Sequence, residues 1–171
     1  MKMNHDEPQF SLHLSDLILP DCTGLRLIPA ADAPRDLLVA WRAAYDVEVL
    51  GGTRGVAEAE AERIIDGWIV AGHHRVLMRG ADPVALTGFN ARLPDIVQIG
   101  GVWTPPDLRR QGFARRAVAL HLAEARAEGV TRATLFSASD KAARAYRAIG
   151  FRQTGRFTLT LLRESQEVRP V

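Results

Sequence analysis

Apolar residues recur along this chain in two rhythms. Leu37, Leu38, Trp41, Tyr45 and Val49 fall three to four apart, the spacing of one helix face, behind Asp32 as a cap and Pro34 in the first turn. Gly51 and Gly52 stop that run, and Ile64, Ile65, Trp68 and Ile69 predict a second helix over 56–71. Short β-prone runs surround the pair, at 25–28 before it and at 75–79, 83–91 and 96–104 after it. Gly80-Ala81-Asp82 and Leu93-Pro94-Asp95 supply the turns. A long amphipathic helix begins beyond Gly112 and ends at Gly129, followed by a strand over 132–136 and a short helix over 141–149. Residues 151–154 and 156–162 predict a closing hairpin. Residues 1–9 are polar and read as loose, residues 10–19 alternate well enough for an extra strand or pairing arm, and residues 164–171 read as frayed.

That order predicts an α/β fold built on a mixed sheet. One domain is expected, over 23–165, with an N-terminal tail carrying the extra strand (1–22) and a short C-terminal tail (166–171). The 171 residues suffice for a good core, and 47% hydrophobic with 25% charged residues is ordinary for a globular protein. The formal charge of +2 and the lack of basic blocks interleaved with aromatics predict no nucleic-acid partner. No apolar run has the length of a membrane span, and the N-terminus does not read as a signal peptide, so no membrane partner and a cytoplasmic location are expected. The single Cys22 cannot form an intrachain disulfide and reads as an inert loop thiol. His, Cys, Asp and Glu show no metal-ligand spacing, so no metal is expected.

The densest chemistry lies in residues 102–118, which run Val-Trp-Thr-Pro-Pro-Asp-Leu-Arg-Arg-Gln-Gly-Phe-Ala-Arg-Arg-Ala-Val. A strand ends in a Pro-Pro turn, a basic loop with one glycine follows, and a helix begins. First-turn amides of a helix lack intrahelical partners and the helix dipole favours negative charge there, so this is a built-in anion site. Gly112 allows close backbone approach, and Ala114 is nearly as small.

The spacing Arg109-x-x-Gly112-x-Ala114 resembles the pyrophosphate signature of the GCN5-related N-acetyltransferase (GNAT) superfamily. Residues 139–151 are similar to a second family segment, aligned on Ala142, Tyr146, Gly150 and Phe151. The resemblance covers about 25–162 and is sharpest over 98–151. It implies a mixed, mostly antiparallel central sheet with a splayed parallel strand pair, flanked by helices: the acyl-CoA N-acyltransferase fold. It implies acetyl-CoA as co-substrate, with the pantetheine arm against Val102, Trp103 and Thr104. The pyrophosphate would be wrapped by Arg109, Arg110, Gln111, Gly112, Phe113 and Ala114. Arg115 and Arg116 either reach the phosphates or coat the helix. The family's asparagine falls on Ser139, which keeps a capping hydroxyl and loses the amide. Tyr146 is, by resemblance, the general acid for the departing thiolate. Gly100-Gly101 inside a strand marks a bulge or a close backbone approach, near the expected thioester.

The acceptor is expected to be a small-molecule or peptide amine. Deprotonating a lysine-like amine at pH 7 costs about 4–5 kcal/mol, and an α-amine about 1 kcal/mol. Where some family members place a glutamate base, this chain has Gln98. Either the acceptor amine has a low pKa, or water relays the proton, or a carboxylate enters from elsewhere, with Asp46, Glu48 and Asp95 as candidates. Asn90 and Gln98 are candidates to orient the acceptor, and His73 and His74 to cap the second helix. The main reading is transfer of an acetyl group to a primary amine by direct attack in a ternary complex. The rival is a non-catalytic acyl-CoA-binding regulatory domain on the same fold. A homodimer formed through the N-terminal arm is also consistent with the sequence.

Overall fold

A computed structural model describes residues 3–51, 53–137 and 139–161. Seven strands form one sheet: β1 (Met3–His13), β2 (Leu25–Pro29), β3 (His74–Arg79), β4 (Asp82–Arg92), β5 (Ile96–Trp103), β6 (Arg132–Phe136) and β7 (Arg152–Leu161). Four α-helices flank it: α1 (Arg35–Leu50), α2 (Arg54–Ala71), α3 (Phe113–Ala127) and α4 (Asp140–Arg147). The strand order is β2-β3-β4-β5-β6-β1-β7, antiparallel throughout except for the parallel β5–β6 pair. The expected mixed, mostly antiparallel sheet with one parallel pair is therefore present.

Alternation along the strands divides the core between the two faces. Val76, Met78, Leu86 and Trp103 meet Leu38 and Trp41 of α1 and Ile65 of α2. On the other face, Phe89, Val97, Ile99, Ala133 and Leu135 meet Val118 and Leu122 of α3, with Ala143 of α4. The apolar stripes read from the sequence thus point at the sheet, except that Val49 is exposed at the end of α1.

Four expectations are corrected. Asp32 does not cap α1: it lies in a 3-10 turn, and Pro34 takes the cap position with no side-chain bond. His73 and His74 do not cap α2. Gly72 ends that helix in the left-handed conformation, its amide bonded to Trp68 O, and His74 opens β3. The closing hairpin over 151–162 is one strand, β7, because it has a partner that the local pattern hides: β1 pairs with it from Met3↔Leu161 to Ser11↔Arg152. A register shift between Gln9 and Phe10 leaves Thr154 unopposed, and this break sits where the hairpin turn was expected. Residues 3–9 are accordingly not loose. The strand occupies Met3–His13 and lies inside the sheet, antiparallel to both β6 and β7, with Phe10 and Leu12 buried in the core. The frayed tail over 164–171 lies outside the described residues.

Candidate active site

The parallel pair is short. β5 and β6 match at Ile96↔Arg132, Val97↔Ala133 and Gln98↔Thr134, and pairing stops there although both strands continue. Beyond Gln98 the strands separate, and the gap between them is lined by Ile99, Gly100, Gly101 and Val102 on one side and Leu135 and Phe136 on the other, with Tyr45 and Tyr146. The β4–β5 register accounts for the shape. From Leu86↔Trp103 to Gly88↔Gly100, β5 uses one residue more than β4, and Gly101 takes a left-handed φ of 64°. This is a β-bulge at the glycine pair, as the sequence suggested. At Gly100 a Cβ would lie 1.9 Å from the Asn90 amide nitrogen, so any larger residue there would have to displace that side chain.

From the end of β5 the chain enters a cleft of about 720 Å³. Val102, Trp103 and Thr104 form one wall, the segment from Leu108 to Arg116 forms the floor, and Ser139, Lys141, Ala142, Ala145 and Tyr146 of α4 and its cap stand opposite. Every residue expected on the cofactor side (Val102, Trp103, Thr104, Arg109, Arg110, Gln111, Gly112, Phe113, Ala114 and Ser139) lines this one cleft, with Tyr146 and Glu48. Gly112 caps α3 with a φ of 76° and no side chain closes the first turn, so the early amides of α3 face the cleft without a capping partner. Arg110 is the one non-glycine residue with positive φ (67°) among the described residues, a conformation costing roughly 1–2 kcal/mol. Strain of this size persists where the surroundings impose it, and such positions cluster at ligand-binding loops.

The cations of the loop divide into two sets. Arg109 is engaged: it donates to both carboxylate oxygens of Glu48 at 2.9 Å, to Thr104 O at 3.0 Å, and stacks over Trp103 at 4.8 Å. Arg116 straps the loop down through Asp21 O at 2.7 Å and Gln111 O at 2.6 Å. Arg115 keeps a buried Nε with no partner, and the Oγ1 of Thr104 is similarly unpaired. Unsatisfied buried polar atoms are costly, so their presence on a cleft wall fits a polar ligand. An acyl-coenzyme A meets these demands: loop amides and arginines for its phosphates, and an unpaired strand edge for its amide-bearing arm.

The candidate bases fare differently. Asp46 is buried against Arg42, with 2.6 Å between Oδ1 and the guanidinium, and Arg42 stacks on Tyr45 and Trp68. Glu48 is held by Arg109 as above. Asp95 is bonded to Arg132 at 2.7 Å, which holds its carboxyl below the usual range, and it precedes β5 at the end away from the gap. Asn90 and Gln98 share the face of the sheet on which α1 and α2 pack, and neither borders the cleft. Ser139 caps α4 through its hydroxyl, which accepts from Ala142 N at 3.3 Å.

Tyr146 stands where the cleft meets the gap. Burial pushes its phenol up to about 12, so it is protonated across the physiological range. His74 and His121 are buried and neutral. Burial lowers them to about 3 and about 2, and each stacks on an aromatic ring, Trp68 and Phe89 respectively. Sequence reasoning missed Lys141, Tyr45 and Phe136 as lining residues. Tyr45 was read only as part of a helix stripe, and Phe136 only as a strand residue. Among the described residues no group of three His, Cys, Asp or Glu is arranged to hold a metal.

The family model for the Acetyltransferase (GNAT) family matches residues 16–151. The chain belongs to that family. Solved structures agree on the GNAT fold. A GCN5-related N-acetyltransferase from Kribbella flavida is 21% identical with a TM-score of 0.58, over 89% of this chain and 56% of its own. A GNAT-family acetyltransferase from Novosphingobium aromaticivorans DSM 12444 is also 21% identical, TM-score 0.58, over 90% and 63%. A tandem GNAT protein from the clavulanic acid biosynthesis pathway is 16% identical with a TM-score of 0.63, over 90% and 50%. This GNAT chain thus spans less than two thirds of the length of these structures. No curated protein sequence matches it significantly. Among the described residues no helix is long and apolar enough to cross a membrane.

Proposed function

We propose that this GNAT-family protein is an acetyl-CoA-dependent N-acetyltransferase that transfers an acetyl group to a primary amine by direct attack within a ternary complex. The observation that carries this reading is the continuous path from a loop with uncapped helix amides, along a cleft, to a strand gap with the half-buried Tyr146 at the junction. Bound acetyl-CoA would supply the activated acetyl group. Gly112, the first amides of α3, Arg110 and Arg115 are the groups suited to its phosphates, while Arg109 holds the loop to α1. The unpaired edge of β5 beyond Gln98 is suited to the pantetheine amides, and backbone groups at the Gly101 bulge would polarise the thioester carbonyl.

Tyr146 serves the leaving sulfur as a hydrogen-bond donor. With its phenol at about 12, full transfer to a thiolate of pKa about 8.5 is uphill by roughly 5 kcal/mol, so donation of a hydrogen bond is the favourable role. The acceptor amine reaches the carbonyl from the α1 side of the gap, where Tyr45 stands.

The test is release of free thiol from acetyl-CoA by the full chain over amino acids, monoamines, polyamines and peptide N-termini, alongside direct titration with coenzyme A. Amine-dependent release supports the reading. Tight coenzyme A binding without release for any amine would establish instead the regulatory acyl-CoA-binding reading.

A further inference from the structure

The sheet face beside the gap carries a set of side chains that the cofactor cleft does not use. On this face α1 and α2 pack over β3 to β5. Farther along the sheet, Thr134 and Phe136 alternate with the buried Ala133 and Leu135, and Gln9 of β1 donates to Thr134 Oγ1 at 3.5 Å. The Phe136 ring lies 4.6 Å from Phe157 of β7, which is 45% exposed. Phe136 also lines the gap, together with Tyr45 and the Gly100-Gly101 bulge. Tyr45 and Phe136 therefore border the gap where the thioester is proposed to lie, and Phe157, against Phe136, extends this aromatic groove along β7.

A carboxylate stands on the same sheet face, beside Phe157. Glu7 of β1 pairs in register with Phe157, and its charge acts on the Tyr45 phenol. Asp46 and Glu48 are neutralised by Arg42 and Arg109. Among the described residues, Glu7 has no arginine or lysine paired with it.

We infer that this groove is the acceptor site and that the acceptor is a primary monoamine on an aromatic or bulky apolar body, its single ammonium held by Glu7. The inference rests on the acetyl-transfer reading and specifies its substrate. Rings of Tyr45, Phe136 and Phe157 remove the apolar body from water and attract a cation over their faces. One carboxylate matches one ammonium, while further positive charges would meet no second unpaired carboxylate among the described residues of this face and would approach Arg42. In the reaction the amine nitrogen forms a bond to the acetyl carbon as the carbon–sulfur bond breaks. The ammonium gives up two protons, one ending on the thiol and one in solvent.

The experiment compares thiol release by the full chain with phenethylamine, methylamine and spermidine. Phenethylamine is expected to exceed both others at least tenfold in kcat/KM. Glu7→Gln and Phe157→Ala should each raise the phenethylamine KM at least fivefold while the KM for acetyl-CoA stays unchanged, which also certifies that the variants fold. If Glu7→Gln fails to fold, the exposed Phe157→Ala decides alone. Preference for spermidine, or an unchanged phenethylamine KM in the variants, overturns the acceptor assignment and leaves acetyl transfer standing. No release with any amine, despite coenzyme A binding, overturns both.

Discussion

At the scale of single residues, backbone conformation and burial do most of the work. Gly112→Val places a β-branched side chain at a φ of 76° with its Cβ 3.0 Å from Arg116 Nη1. The expected result is a loss of roughly 1–2 kcal/mol of stability in urea melts, and at least tenfold weaker coenzyme A binding by calorimetry. Tyr146→Phe should lower kcat about 10- to 100-fold, the worth of one hydrogen bond to a charged sulfur, with little change in the acetyl-CoA KM. Burial gives a pH prediction. His74 and His121 are neutral when folded, at about 3 and about 2, against 6.5 when exposed. The unfolded chain therefore binds more protons below pH 6.5, and stability should fall with pH from there toward pH 3. The limiting slope is about 1.4 kcal/mol per pH unit for each histidine. Unfolding free energies measured at pH 7.5, 6.5 and 5.5 check this, and a flat profile would contradict neutral burial.

At the scale of elements, Glu48 and Arg109 join α1 to the β5–α3 loop. The pair is part exposed, so Glu48→Gln should cost at most about 1 kcal/mol. Because its carboxylate is already spent on Arg109, thiol release should fall less than threefold, and abolished turnover would identify Glu48 as the base after all. The cofactor elements were the most legible in the sequence, because their information is local. Pro105-Pro106 end a strand, Gly112 supplies a left-handed cap, and Ser139 caps the helix that carries Tyr146. The roles of Arg109 and Asp46 were not legible. Which arginine neutralises which carboxylate depends on the packing of α1 against the loop, and no spacing encodes that. The β7 misreading has the same origin: Thr154-Gly155 looks like a turn until β1 is known to run alongside.

For the whole molecule, the sheet is complete on both sides of β6 only where β5 reaches it. Past Gln98 and Thr134 the facing backbone groups of β5 and β6 have no strand between them. Hydrogen exchange should therefore be fast at the β5-facing amide within 135–136 and at the β6-facing amides of 99–104, and should slow when coenzyme A is added. Unchanged exchange would remove the pantetheine arm from the gap. The mixed α/β sheet was readable from element order, and its parallel pair from the family resemblance. The place of β1 was not, because alternation in residues 10–19 suggests an extra strand, residues 1–9 read as loose, and nothing local says which strands such an arm joins. Phe10 shows how much rides on that placement. It is fully buried beside Leu135 and Phe151, and Phe10→Ala should cost about 3–5 kcal/mol in urea melts.

The position of β1 also bears on how the chain comes to be folded. β1 has its neighbours at residues 132–136 and 152–161, so on the ribosome it emerges long before either exists. Until β6 and β7 have been made, a segment carrying Phe10 and Leu12 waits unpaired, and closing its ladder spans most of the described residues. Contacts of such sequence separation slow folding and lengthen the life of sticky intermediates. The zipping of β1 into this sheet is thus a late, long-range event, and the nascent chain is most exposed to aggregation before β7 is complete.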